Sequence, residues 1–215
     1  GIINFTGDEI KTGDSTYAAA AYCSRIAGLI SGTPMTMSCT YAPLAEVSDV
    51  KRLVNEDLDI AIDAGQLVLL WDGEEVETGR GVNSLTTITA DKGAPFQKIK
   101  IVEAVDMIQN DIRKTARKNY IGKYPNNYDS KCLLLTAIRG YFDTLVTENI
   151  ISEYSVDFDE MAIKHYLKSN EMSDDDISKM SDQEIREANT GSKVFFAGTA
   201  TILDAMEDIA LNLNI

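Results

Sequence analysis

The sequence predicts a mixed α+β fold. Its centre is a mixed sheet flanked by helices, among them a long helical hairpin, and it ends in an extended C-terminal β arm. Three observations predict this. Leu67-Val68-Leu69-Leu70-Trp71 is an unbroken apolar run that stops at Asp72-Gly73, the pattern of a buried strand entering a turn. Further along, the apolar period becomes helical, first through Val105, Ile108 and Ile112, then through Leu134, Ile138, Tyr141 and Leu145 beyond a break at Gly122 and Pro125. At the end, Ile209, Leu211, Leu213 and Ile215 alternate with Ala210, Asn212 and Asn214 at a period of two, which is the signature of a strand.

Taken in order, Asp14 or Ser15 is placed to cap a helix running through Ala18–Ala21, Ile26 and Leu29 and ended by Gly32 and Pro34. Ser48 is a second candidate cap, before Val50, Leu53 and Val54. Leu58, Ile60 and Ile62 form a short segment closed by Gly65. After the Leu67–Trp71 strand, Glu75 to Thr78 is its hairpin partner. Leu85 to Thr89 is β-rich, and Lys98 to Val102 reads as a strand before the helical period takes over. Ser155 to Ile163 and Val194 to Ile202 read as strands. Between them, residues 169–191 form a polar, acidic excursion in which Ser173 and Ser181 can each cap a short helix. The division expected is a core over residues 1–203 and an arm over 204–215.

Composition narrows the function. The chain has 215 residues, 44% of them apolar, enough for a sizeable core. Its net charge of −14 argues against a general nucleic-acid binder, which needs clustered Lys and Arg, and against an anionic membrane surface. No apolar run reaches the roughly 18 residues of a membrane span. The start, Gly1-Ile2-Ile3-Asn4-Phe5, reads as the middle of a longer protein. Cys23, Cys39 and Cys132 are scattered and odd in number, so they suggest neither a disulfide framework nor a metal site; Cys23 and Cys132 are expected to be buried as small hydrophobes.

Candidate chemistry is sparse. His165 is the sole histidine and has no nucleophile elbow near it. Residues 7–15 imitate a phosphate loop but are one residue too long and lack the lysine after the second glycine. Asp174-Asp175-Asp176 lacks the alternate spacing of a calcium loop and suits a helix N-terminus. These residues therefore predict no catalytic, cofactor-binding or metal site. Arg113, Lys114, Arg117 and Lys118 stand out on an acidic chain, with Lys98, Lys100 and Lys123 as further cations. They fit a solvated helix face or a contact with an acidic neighbour, for which the run from Glu153 to Glu187 is a candidate.

Several ordered motifs carry a resemblance. Arg80-Gly81-Val82-Asn83-Ser84-Leu85-Thr86 resembles the "RG-N-(S/T)-LT" signature of phage-type contractile tail sheath proteins, and likewise follows a "G-LV" strand at Gly65-Gln66-Leu67-Val68. The segment Lys98–Val102, then Asp106-Met107-Ile108 and Asp111-Ile112, is similar to the family's next stretch. Tyr120-Ile121-Gly122-Lys123 with Asn126 or Asn127 matches its "YIGK--N" break. Ala27-Gly28, Pro34 and Ser38 fit an upstream pattern. The resemblance runs from about Thr16 to the end and is nearest the short sheaths of prophages, R-type bacteriocins and related phages.

The resemblance implies a structural subunit that polymerises with copies of itself around a tail tube protein, between baseplate and tail terminator, and contracts to drive the tube through a cell envelope. It implies no enzyme activity and no cofactor, and places assembly in the host cytoplasm. It also implies that terminal arms add strands to a neighbour's sheet, which assigns Ile209, Leu211, Leu213 and Ile215 to subunit contacts. Periodicity alone equally fits a strand that returns to its own sheet. A non-catalytic adaptor binding through the basic helix, and an α/β enzyme, are the alternatives.

Overall fold

A computed structural model describes residues 1–90 and 92–213 of the chain. The chain forms two compact units, Gly1–Asp106 with Asp204–Ile215, and Met107–Leu203.

The first unit is built on a mixed three-stranded sheet. Strand β1 (Asn4–Thr6) runs parallel to β4 (Gln66–Trp71), which pairs antiparallel with β5 (Val76–Thr78). The expected hairpin is therefore present, with Asp72 accepting from the backbone N–H groups of Glu74 and Glu75 in its turn. The outer edge of β5 is occupied by residues 42–44: Leu44 N–H donates to Val76 O and Thr78 N–H to Ala42 O. A second ribbon pairs β2 (Ile10–Thr12) with β3 (Ser15–Tyr17). Helix α1 (Ala19–Gly32) sends Tyr22 and Ile26 into a core shared with Leu44, Val47, Leu67, Leu69, Val76 and Ile99. Helix α2 (Asn55–Asp63) follows an irregular stretch and leads to Gly65, whose φ of +71° turns the chain into β4. A Cβ there would lie 2.7 Å from Asn83 O, so glycine is required twice over.

Several expectations are corrected. Ser15 lies in β3, and α1 starts at Ala19 behind Ala18 with no side-chain cap. Ser48 caps no helix; its N–H and hydroxyl both donate to Lys11 O, tying residues 48–49 to β2. Residues 85–89 form no strand. Lys98–Val102 is helical from Ile99, where α3 (Ile99–Asn119) begins, and only an isolated bridge, Val82 to Lys98, precedes it. Ile99, Lys100 and Ile101 are all buried, and the alternation of lysine and isoleucine over 98–101 imitates a strand.

The second unit takes the C-terminal half of α3, the helix α4 (Tyr128–Thr147) and a two-stranded antiparallel ribbon of β6 (Ile151–Phe158) and β7 (Phe196–Ile202). The two long helices are thus consecutive, as expected. Asn127 caps α4 by accepting from Ser130 N–H. Asn126 instead clasps the 190–193 loop, its Nδ2 donating to Gly191 O, Lys193 O and Thr190 Oγ1. Helix α5 (Glu160–Ser169) starts at Asp159, which accepts from Ala162 N–H, so the expected Ser155–Ile163 strand ends at Phe158.

The acidic excursion carries α6 (Asp174–Lys179) and α7 (Asp182–Glu187), capped as expected by Ser173 and Ser181, the latter as a full capping box. It is more than a solvated loop. Ile177 and Ile185 close a core with Leu135, Phe158, Ile163 and Leu167. Cysteine burial is also corrected: Cys39 is buried, Cys132 half-buried and Cys23 exposed. At Cys39, burial pushes the thiol up to about 11.

Candidate subunit interface

The site is built on the segment after β5. Gly81 is wedged between residues 38–40 and the start of α3: its N–H donates to Thr40 Oγ1 at 2.9 Å, and its carbonyl accepts from Ile99 N–H. Asn83 is buried. Its Nδ2 donates to Phe96 O at 2.7 Å, and its Oδ1 accepts from Leu85 N–H at 2.9 Å. An amide is the side chain that serves both a carbonyl and an N–H at once. The glycine and asparagine of the Arg80–Thr86 motif are therefore structural. The arginine is left pointing at something else.

That something is the C-terminal segment, residues 204–208. Arg80 holds Asp208 through both terminal nitrogens, with Nη1 to Oδ2 at 3.0 Å and Nη2 to Oδ1 closer still. Lys98 Nζ meets Asp204 Oδ2 at 2.5 Å and Glu207 Oε2 at 3.0 Å. Glu207 Oε1 accepts from Ser38 Oγ at 2.8 Å and Thr40 Oγ1 at 2.6 Å. Each hydroxyl also accepts from a backbone donor, Thr40 N–H on Ser38 Oγ and Gly81 N–H on Thr40 Oγ1, and the Ser38 hydroxyl lies within donating distance of both Glu207 Oε1 and Thr40 Oγ1.

The electrostatics follow the geometry. Burial alone would push the Glu207 carboxyl up. The hydroxyls of Thr40 and Ser38 and the Lys98 ammonium outweigh it and hold the group below the usual glutamate range. The bond to Arg80 likewise lowers Asp208. Lys98 is raised: burial opposes its charge, and the Asp204 and Glu207 carboxylates overcome it.

Beyond Asp208 the contacts stop. Ile209, Leu211 and Leu213 are 89%, 75% and 74% exposed, and residues 209–213 carry no strand and no hydrogen bond among the described residues. Ile215 lies outside the described residues. Among the described residues the alternation has no ladder partner, and a strand's backbone groups need one.

The basic residues lie elsewhere. Arg113, Lys114, Arg117 and Lys118 are exposed on the second half of α3 and make no ion pair among the described residues. On the same helix, Ile112 and Ala116 face a groove of about 240 Å³ lined also by Leu134, Ile138 and Tyr141. Lys98 and Lys100 belong to the first unit, and Lys100 is buried there. His165 is exposed, and Asp174 pairs with Lys168 at 2.7 Å. Residues 10–17 form the β2–β3 hairpin, not a strand-to-helix phosphate loop.

Sequence reasoning missed the clasp of Ser38, Thr40, Arg80 and Lys98 on Asp204, Glu207 and Asp208. One signal was available: three carboxylates at 204, 207 and 208 immediately ahead of an apolar alternation.

The fold is α+β, and its terminal segment is pinned at residues 204–208 and exposed and largely apolar over 209–213. The chain belongs to the phage tail sheath C-terminal domain family, whose model matches residues 91–215. It is 40% identical over 213 residues to the tail sheath protein of Clostridium phage phiCD119, covering 99% of this chain and 59% of that protein. The solved sheath tail protein of Desulfitobacterium hafniense superposes with a TM-score of 0.63 at 26% identity, over 72% of this chain and 38% of that one. The anti-feeding prophage helical sheath in its contracted state shares the fold, with a TM-score of 0.67 at 16% identity over 99% and 55% of the two chains. The chain thus spans a little over half the length of the curated tail sheath protein it matches.

Proposed function

We propose that this chain is the self-associating C-terminal part of a contractile tail sheath subunit, a non-catalytic protein that polymerises around a tail tube. Copies stack as rings, are held extended, and rearrange into a shorter, wider lattice that drives the tube through a cell envelope. Its partners are copies of itself, the tail tube protein, and baseplate and tail terminator proteins. Its place is the particle tail, assembled in the host cytoplasm. A relative whose sheath was solved in a contracted helical state supports contraction for this chain as well.

The observation that carries the reading is the uncovered end. Ile209, Leu211 and Leu213 expose their side chains at a period of two, in a family of sheath proteins. A neighbour's sheet edge would cover one face and supply ladder bonds. Each covered side chain would contribute about 1.5–3 kcal/mol before ordering costs, and each backbone bond about 0.5–1.5 kcal/mol net. On this reading residues 1–203 are the core and 204–215 the arm, with Ile215 continuing the apolar face. Arg113, Lys114, Arg117 and Lys118 form a second contact, toward an acidic surface of a neighbouring copy, where charge fixes register more than affinity.

The test is electron microscopy of the complete protein with and without residues 209–215. The intact protein should form sheaths, and the truncated one should remain a folded monomer. Normal sheaths from the truncated protein would rule the arm out.

A further inference from the structure

We infer that the clasp around Glu207 is the anchor that aims the C-terminal arm at a second copy of this chain, which makes Glu207, with Lys98 and Arg80, a positioning residue for assembly. The inference rests on the reading of the arm given above. Its first support is an inversion of ordinary burial. In the terminal segment the Glu207 side chain is only 7% exposed, whereas Met206 and Ile209 on either side are 95% and 89% exposed. A tail that collapsed onto its own domain for stability would bury the methionine and isoleucine and leave the carboxylate in water. Here the Glu207 carboxylate is taken in, while Asp208, Met206 and Ile209 stay exposed.

The second support is that the receptor for Glu207 is tied to the backbone of the domain. Ser38 Oγ and Thr40 Oγ1 are held by the backbone N–H groups of Thr40 and Gly81 and by each other, both reach one carboxylate oxygen of Glu207, and Lys98 takes the other. Asp204 and Asp208 flank it on Lys98 and Arg80. Charge-assisted contacts of this kind are directional, so together they fix where the chain leaves the domain. The third support is that, among the described residues, no hydrogen bond or ion pair follows Asp208. Segments that must pair with another chain lose less on pairing when their root is already ordered.

The experiment uses the full-length protein and three variants: Glu207→Gln, Lys98→Met and a truncation lacking residues 209–215. Glu207→Gln keeps the shape but turns an amide toward two cations. Three quantities are read: the thermal unfolding midpoint, hydrogen exchange of peptides spanning 204–208, and sheath yield in negative stain. Glu207→Gln should leave the midpoint within a few degrees, speed exchange at 204–208 at least tenfold and lower sheath yield at least tenfold. Lys98→Met should act in the same direction, and it decides the matter if Glu207→Gln does not fold. The truncation should abolish sheaths while keeping slow exchange at 204–208. Wild-type exchange and yield in both point variants overturn the anchor and leave the arm reading intact. Full sheath yield from the truncation overturns the arm reading and, with it, the anchor.

Discussion

A Cβ built on Gly81 would lie 3.0 Å from the Sγ of Cys39 and 3.2 Å from the hydroxyl oxygens of Ser38 and Thr40. Residues 38–40 thus lean directly on the backbone of the Arg80–Thr86 motif. A side chain here would press on these atoms by a few tenths of an ångström, and the backbone angle itself is not one that favours glycine. Gly81→Ala should therefore destabilise the protein by about 1–3 kcal/mol, the usual cost of overpacking a tight site. In a Cys39→Ala background the cost should shrink, because the nearest atom is gone. A double-mutant cycle in urea checks the coupling, and strict additivity would contradict it.

Asn83→Ala should cost about 2–4 kcal/mol, since it leaves both the Phe96 carbonyl and the Leu85 N–H without their buried partner. Asn83→Asp should be at least as damaging, because it turns an acceptor toward a carbonyl. Urea midpoints of the two variants, with unchanged slopes, are the measurement.

In the second unit, Ile185→Ala should cost about 2–5 kcal/mol, as for other buried aliphatic truncations. Ser181→Ala, which removes the capping box of α7, should cost about 1 kcal/mol. Thermal melts of both variants test whether the acidic excursion is part of the core. Wild-type stability in Ile185→Ala would show that it is not.

The stability due to the clasp should depend on pH in one direction through the acid range. Glu207 and Asp208 have folded pKa values below their ordinary ones, so their contribution is complete above the ordinary carboxylate range and is lost as pH falls through the lowered values. Lys98 is raised, so its contribution is complete below its ordinary value of 10.5 and is lost only as pH rises above that. Between these limits the difference in melting temperature between wild type and Glu207→Gln should be flat, and it should shrink in acid. A difference that grows in acid would contradict the assignment.

What the sequence discloses divides along physical lines. The Leu67–Trp71 strand, its hairpin to Val76–Thr78, α1 and the caps at Ser173 and Ser181 are local patterns, and local patterns can be read. The stretch 98–102 misleads because lysine and isoleucine alternate there at the period of a strand, although the residues open a helix. Ser48 and Asp14 carry good capping side chains, but those stretches are engaged by β2 and β3. The clasp is illegible for a different reason: Ser38 and Glu207 meet across 169 residues, and no periodicity encodes such a pair. The apolar alternation of the arm is legible, but among the described residues it pairs with no strand.

The central claim is that residues 209–215 hold one copy to the next. The measurement that tests it most directly is negative-stain microscopy of the complete protein beside a truncation ending at Asp208. The account predicts abundant helical sheaths from the first, and folded, monomeric particles from the second with an unchanged melting temperature. Sheaths of normal length from the truncated protein would contradict it.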